Sequence, residues 1–208
     1  MTRAQTTMDF NTAYDFLVEL EGGLLKIDAG EGIQYGGILQ KWYEPGLHMP
    51  GYPRGERLPD NVLDFTPEQH EHYVFVKFWL RLFSDSVQFP ITMKLFQGVA
   101  APIFFMAYNA GHEDAVRCAQ RTMPFLKEDG ILGPRTYSFL HSIGPENVLE
   151  WWKDDRTLTT FYNKEGSHAS SSMGYFSQCA FKYKGHTKEA GLLNRLSKIN
   201  DWLREEVK

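Results

Sequence analysis

The stretch EGGLLKIDAGEGIQYGGI, residues 21–38, sets one glutamate at the end of an apolar helical pattern and then places six glycines, at 22, 23, 30, 32, 36 and 37, within sixteen residues. Glycine loses the most backbone entropy on folding and brings no side chain to pack. The run is therefore neither a stable helix nor a strong strand, and a short hairpin or loop is expected. Upstream, Phe10, Ala13, Phe16, Leu17 and Leu20 recur at helical spacing until Gly22 and Gly23 stop them. With Asn11 or Thr12 as N-cap and Thr12 and Asp15 approximating a capping box, a helix is predicted over about 12–21.

Working outward, residues 40–64 carry four prolines and three glycines with no sustained period. A loop of that length in a compact domain is usually functional. Thr66-Pro67-Glu68-Gln69 reads as N-cap, N1 proline and capping-box partner of a helix that offers Tyr73, Phe75, Phe78, Trp79, Leu82 and Phe83 for burial. Further helical segments are expected over about 91–109, with a kink at Pro102, and over about Glu113 to Phe125. Others start at Gly133-Pro134 and at Pro145, the last holding Trp151, Trp152, Leu158, Phe161 and Tyr162. Leu192, Leu193, Leu196, Ile199, Trp202 and Leu203 form an amphipathic helix near the C-terminus. Helical patterns dominate, so the fold class is mainly α. No internal repeat is found, and the one low-complexity patch, Ser167 to Ser172, reads as an exposed loop.

Composition narrows the function. Of 208 residues 42% are hydrophobic and 14% aromatic, enough for a packed core, and 22 basic against 26 acidic residues leave no stripe able to track phosphates. Nucleic acid is excluded as a partner on that ground. The apolar run Val99 to Tyr108 falls short of a membrane span, so the protein is not membrane-embedded, and the first twenty residues lack the apolar core of a secretory signal. Synthesis in the cytoplasm is expected. Cys118 and Cys179, 61 positions apart without metal-ligand spacing, are read as reduced and buried.

The glutamate is where chemistry enters. Tyr14, Leu17, Val18 and Glu21 follow the i, i+3, i+4, i+7 rule, which puts Glu21 on an apolar flank, whereas Glu19 lies beside Asp15 on the polar side. At the helix C-terminus the dipole and the apolar flank both disfavour ionisation. A carboxyl group that keeps its proton near neutral pH suits a general acid, and the glycines let a long polymer approach it. Asp28, or less readily Glu31, supplies a second acid, and a carboxyl pair across a bond is the apparatus of glycoside hydrolysis. Set against this, a glutamate before Gly-Gly is most often a solvated residue and a glycine cluster is most often a plain loop.

Other constellations are weaker. His70 and His72 are two apart, roughly 200° around a helix, a poor zinc face. His48, His112, His141, His168 and His186 have no partners at ligand spacing. The GEGIQYGG glycines do not fit G-x-G-x-x-G. No metal and no cofactor are implied. Tyr35, Trp42 and Tyr108 have flat apolar faces able to stack on sugar rings, although Trp42 serves equally as a core residue.

Glu21-Gly22-Gly23, Asp28, Gly30, Gly32 and Gly37-Ile38 together resemble the signature of the N-acetylmuramidase and secretion-activator family, glycoside hydrolase family 108. The resemblance continues in order along nearly the whole chain. Tyr73 to Trp79 is similar to the family's helix ending in an aromatic and Trp, and Asn109-x-Gly111 with Ala115 and Gln120 to its Asn-x-Gly and Gln pattern. Asp129-Gly130-Ile131-Leu132-Gly133-Pro134-Arg135-Thr136 resembles the Asp-Gly-x-x-Gly-Pro-x-Thr of the associated peptidoglycan-binding segment, and Gly191 to Arg195 its terminal Gly-Trp-Leu-x-Arg. Between Glu21 and Gly37 the chain is about one residue shorter than the family; its Thr position falls on Gln34 or Ile33, and its acidic residue before Asn109 on Phe105 or Met106.

The resemblance implies a lysozyme-like helical fold and cleavage of the β-1,4 bond between N-acetylmuramic acid and N-acetylglucosamine. Glu21 would be the catalytic acid, Asp28 would stabilise charge or activate water, and Gln34 would be the water-positioning alternative, with Tyr35, Tyr108 and Asn109 as substrate-binding candidates. A muramidase region over 9–98 and a helical peptidoglycan-binding region over 99–206 are expected. The Asp129 to Thr136 segment reads equally well as a tight loop joining two helices. The expected partner is the peptidoglycan glycan strand. Reaching the wall after synthesis would require a holin or other membrane-permeabilising partner, carriage on a phage particle, or a secretion system, in the manner of a bacteriolytic endolysin. Two rival classes remain: a non-catalytic wall-binding or structural component of a phage or secretion apparatus, and a lytic transglycosylase.

Overall fold

The computed structural model describes residues 9–29, 32–43, 57–83, 95–122, 126–152, 174–185 and 189–207. Gly30, Glu31, most of the proline-rich 40–64 stretch, His48, residues 91–94, Phe125, Leu158, Phe161, Tyr162, the serine patch with His168, and His186 lie outside them. The chain is mainly α, with one three-stranded antiparallel sheet of order β1-β2-β3. The strands are β1 (Lys26–Ala29), β2 (Gly32–Tyr35) and β3 (Ile38–Leu39). The glycine-rich run thus forms a hairpin after the first helix. The chain divides into two compact units, Phe10–Ser84 and Asp85–Lys208, the latter joined by Met1–Asp9.

In the first unit, α1 spans Phe10–Leu20 and buries Ala13, Tyr14, Leu17 and Leu20. It starts earlier than predicted, so Asn11 and Thr12 lie inside the first turn rather than at the N-cap position. Tertiary burial sets this boundary: the Phe10 ring packs edge-on against Phe75 and Trp79. The Tyr35-Gly36-Gly37-Ile38 turn between β2 and β3 has positive φ at both central residues, 52° and 90°, the mirror-image turn that matches strand twist and that glycine adopts without strain.

Helix α2 (Pro67–Val74) has the predicted capping box: Thr66 Oγ1 accepts from Gln69 N–H at 3.2 Å, and Gln69 Oε1 accepts from Thr66 N–H at 2.9 Å. The chain continues as a π-helical turn over Phe75–Leu80 and then α3 (Arg81–Phe83), a widening the sequence pattern did not announce. Tyr43, Phe65 and Tyr73 meet edge-to-face behind it.

The second unit is built on α4 (Gln97–Ala110), apolar around its circumference and buried from Gln97 to Ala107. It runs through Pro102 as one helix. The others are α5 (His112–Arg121), α6 (Pro134–Ser142), α7 (Val148–Trp152), α8 (Tyr175–Tyr183) and α9 (Glu189–Val207). Pro145 opens a 3-10 turn rather than α7 itself, and α8 had no predicted counterpart. Cys118 on α5 and Cys179 on α8 are buried free thiols. The Trp151 ring stacks on Tyr175, and Trp152 Nε1–H donates to Asn200 Oδ1 at 3.1 Å, which pins α7 to α9.

Candidate active site

Helix α1 ends in a specific device. Gly22 N–H donates to Glu19 O at 3.0 Å and Gly23 N–H to Val18 O at 2.8 Å, the pair of bonds that defines a Schellman cap with Gly22 at C′. Gly22 has φ of 78°, the left-handed conformation this position demands. Glu21 is therefore the C-cap residue itself, its N–H bonded to Leu17 O at 3.0 Å. The side chain is half-buried and its Oε1 is closed off from solvent. A Cβ at Gly22 or Gly23 would meet nothing within 4 Å, so the backbone beside this carboxyl faces open space.

The hairpin carries the candidates for a second group. Asp28 pairs with Ile33 and Lys26 with Tyr35, while Ile27 pairs with Gln34 and Gln34 with Leu39. Directly opposed residues point to the same side of a sheet and successive residues to opposite sides. Asp28 and Gln34 thus project from opposite faces of the hairpin. Asp28 is exposed and Gln34 half-buried.

Tyr35 is 3% exposed, its ring meets His70 edge-on at 5.3 Å, and Lys26 Nζ lies 5.4 Å from its centroid, so the ring is part of the core of the first unit. Burial also raises its pKa above the usual tyrosine range. Trp42 is the reverse case. It is 71% exposed, with Lys41 Nζ 5.5 Å from its ring centroid.

Tyr108 and Asn109 belong to the other unit, at the end of α4, and both are half-buried. The Asn109 amide is bonded at both ends: Nδ2 donates to Phe105 O at 2.9 Å and Oδ1 accepts from Arg195 Nη1 at 2.9 Å. Two motifs read separately in the sequence are thereby joined, α4 to α9. A similar junction explains the Asp129 to Thr136 segment. The buried Gln120 side chain donates to Asp129 Oδ1, Ile131 O and Thr136 Oγ1 at 2.8, 3.1 and 3.2 Å, and accepts from Gly130 N–H at 2.9 Å. This bonding favours the tight-loop reading over a ligand-binding one. Bonds from Gln120 and the Ile131 N–H hold the Asp129 carboxyl below the usual range.

One cluster in the first unit was missed by sequence reasoning. His70, 1% exposed, accepts at Nδ1 from the Tyr14 hydroxyl at 2.9 Å and donates from Nε2 to Gly36 O at 3.3 Å. Because a carbonyl can only accept, Nε2 carries the proton and Nδ1 must be the acceptor. Burial lowers the His70 pKa to about 4 and pushes the Tyr14 hydroxyl well above its ordinary value. The signal was available: His70, Tyr73 and Val74 are the buried stripe of α2. Committed to Tyr14 and Gly36, His70 has no nitrogen left for a metal. Among the described residues no group of three or more His, Cys, Asp or Glu side chains is placed to hold one, and no helix is long and apolar enough to cross a membrane.

A scan against protein-family models and a search of curated proteins each return no match. Among solved structures the chain is similar to SagA of Brucella abortus, with a TM-score of 0.61 and 15% identity over 96% of this chain and 95% of that one. At that identity the likeness shows a shared fold along nearly the whole length of both chains.

Proposed function

We propose that the protein is a peptidoglycan hydrolase of the muramidase type, with Glu21 as general acid. The observation that carries this reading is the setting of Glu21, a C-cap carboxyl with one oxygen closed to water and side-chain-free backbone in open space beside it. Removal from water and the negative end of the α1 dipole both favour the protonated form. A protonated carboxyl at the mouth of an open approach is equipped to give its proton to a glycosidic oxygen as an oxocarbenium-like centre develops. The ordered resemblance of motifs from Glu21 to Arg195 supports the same reading and supplies the substrate, the β-1,4 bond between N-acetylmuramic acid and N-acetylglucosamine.

The second group is either Asp28 or Gln34, and the hairpin allows only one of them on a given face. Asp28 would act as nucleophile or base, at a carboxyl separation of roughly 5 to 5.5 Å for a retaining route and 6.5 to 9.5 Å for an inverting one. Gln34 orients water by hydrogen bonding but takes no proton. Trp42 is the aromatic surface we assign to a sugar ring, on account of its exposure. Delivery to the wall by a holin, particle or exporter remains part of the proposal.

Incubating purified peptidoglycan with the native chain, Glu21→Gln, Asp28→Asn and Gln34→Ala, and identifying the ends released, tests it. New N-acetylmuramic acid reducing ends are expected from the native chain, with Glu21→Gln lower by about a hundredfold or more. Equal release by native and Glu21→Gln chains removes the assignment. Anhydro ends in place of reducing ends would make the protein a lytic transglycosylase, and wall pelleting without any release a binding component.

A further inference from the structure

We propose that His70 is a positioning residue for Glu21, tying helix α1 to the Gly36-Gly37 turn and so holding both ends of the connection on which the Glu21 carboxyl sits. The role rests on the reading of Glu21 as the acid. Tyr14 lies seven residues before Glu21 on the same helix face, and Leu25 four residues after it. Tyr14 donates to His70 Nδ1, His70 Nε2 donates to Gly36 O, and Gly36 N–H donates to Leu25 O at 3.1 Å. These bonds close a ring around residues 14–25, with the Schellman cap inside it.

The link is stiff as well as continuous. A Cβ built on Gly36 would stand 2.5 Å from His70 Nε2, so the imidazole and the turn are already in contact and neither shifts alone. The Tyr14 and Tyr35 rings pack on His70 with centroids 5.8 and 5.3 Å away. The link also demands the neutral ring. A neutral imidazole offers one donor and one acceptor, the pair that Gly36 O and the Tyr14 hydroxyl require, whereas an imidazolium offers two donors and loses the bond from Tyr14. The titratable groups around it are Tyr14 on α1, Tyr35 on β2 with Lys26 beyond its ring, and Glu68 and Glu71 on α2, both of which act on Tyr14.

Tyr14→Phe is the decisive variant, because it deletes the bond to Nδ1 while keeping the ring; His70→Gln is the companion. Two quantities are read in the full chain: kcat and KM on soluble glycan fragments, and the titration of the Glu21 carboxyl by carbon-13 NMR. The expected result is kcat lower by about tenfold or more with KM changed by less than about twofold, and a Glu21 titration displaced toward that of an ordinary glutamate as water gains its Oε1. A role confined to stability would lower the unfolding midpoint and move neither. Native kcat together with an unmoved Glu21 titration in Tyr14→Phe overturns the proposal. If the native chain releases no sugar ends, the hydrolase reading falls by itself and the titration decides alone: displaced, His70 positions Glu21; unmoved, it does not.

Discussion

His70 carries a proton ledger that reaches the stability of the protein. In the unfolded chain its imidazole titrates near the ordinary 6.5, and in the fold near about 4. Between those values the unfolded state binds a proton that the folded state refuses. The stabilisation is therefore complete above pH 6.5, drains as the pH falls toward 4, and levels off below. Its full size is about 3 kcal/mol from this group. Urea unfolding at pH 7, 5.5 and 4 is expected to show that loss in the native chain and a flatter profile in His70→Gln, which has nothing to protonate there. Gly36→Ala acts on the same contact from the other side. The alanine needs φ of 52° and places its Cβ 2.5 Å from Nε2, so a loss of about 2 kcal/mol or more is expected in thermal unfolding.

Single elements show how local chemistry sets boundaries. The α2 start is written in four consecutive residues, Thr66 to Gln69, because a hydroxyl, a proline and an amide at those offsets satisfy orphan donors wherever the rest of the chain goes. Thr66→Ala is expected to cost about 1 kcal/mol, measurable by chemical denaturation, with faster amide exchange confined to the first turn of α2. The C-terminus of α1 was equally legible, since Gly22 and Gly23 supply the positive φ that a Schellman cap requires. Its N-terminus was not. Asn11 and Thr12 have the right chemistry for a cap, but packing of Phe10 against Phe75 and Trp79 starts the helix two residues earlier. The π-helical Phe75–Leu80 turn went unread for a related reason, being a response to packing that leaves no local residue signature.

Across the whole molecule, burial separates residues that look alike in the sequence. Phe104 is completely buried on α4 and Trp42 is 71% exposed. Phe104→Ala is expected to cost about 3–5 kcal/mol, whereas Trp42→Ala should fall within about 0.5 kcal/mol of native, both by denaturant unfolding. Sequence alone determined the mainly α class, a short hairpin or loop after α1, the caps at Thr66 and Gly22, and Glu21 as the carboxyl worth testing. These follow from apolar period, backbone preference and hydrogen bonds spanning a few residues, all local quantities. The tertiary structure alone decided that Tyr35 belongs to the core, that Asp28 and Gln34 lie on opposite faces, that Asn109 is bound by Arg195 and Gln120 by its loop, and that His70 joins Tyr14 to Gly36. Each of those depends on groups far apart in the chain that burial brings together, and a buried polar atom takes its role from the partner it finds there.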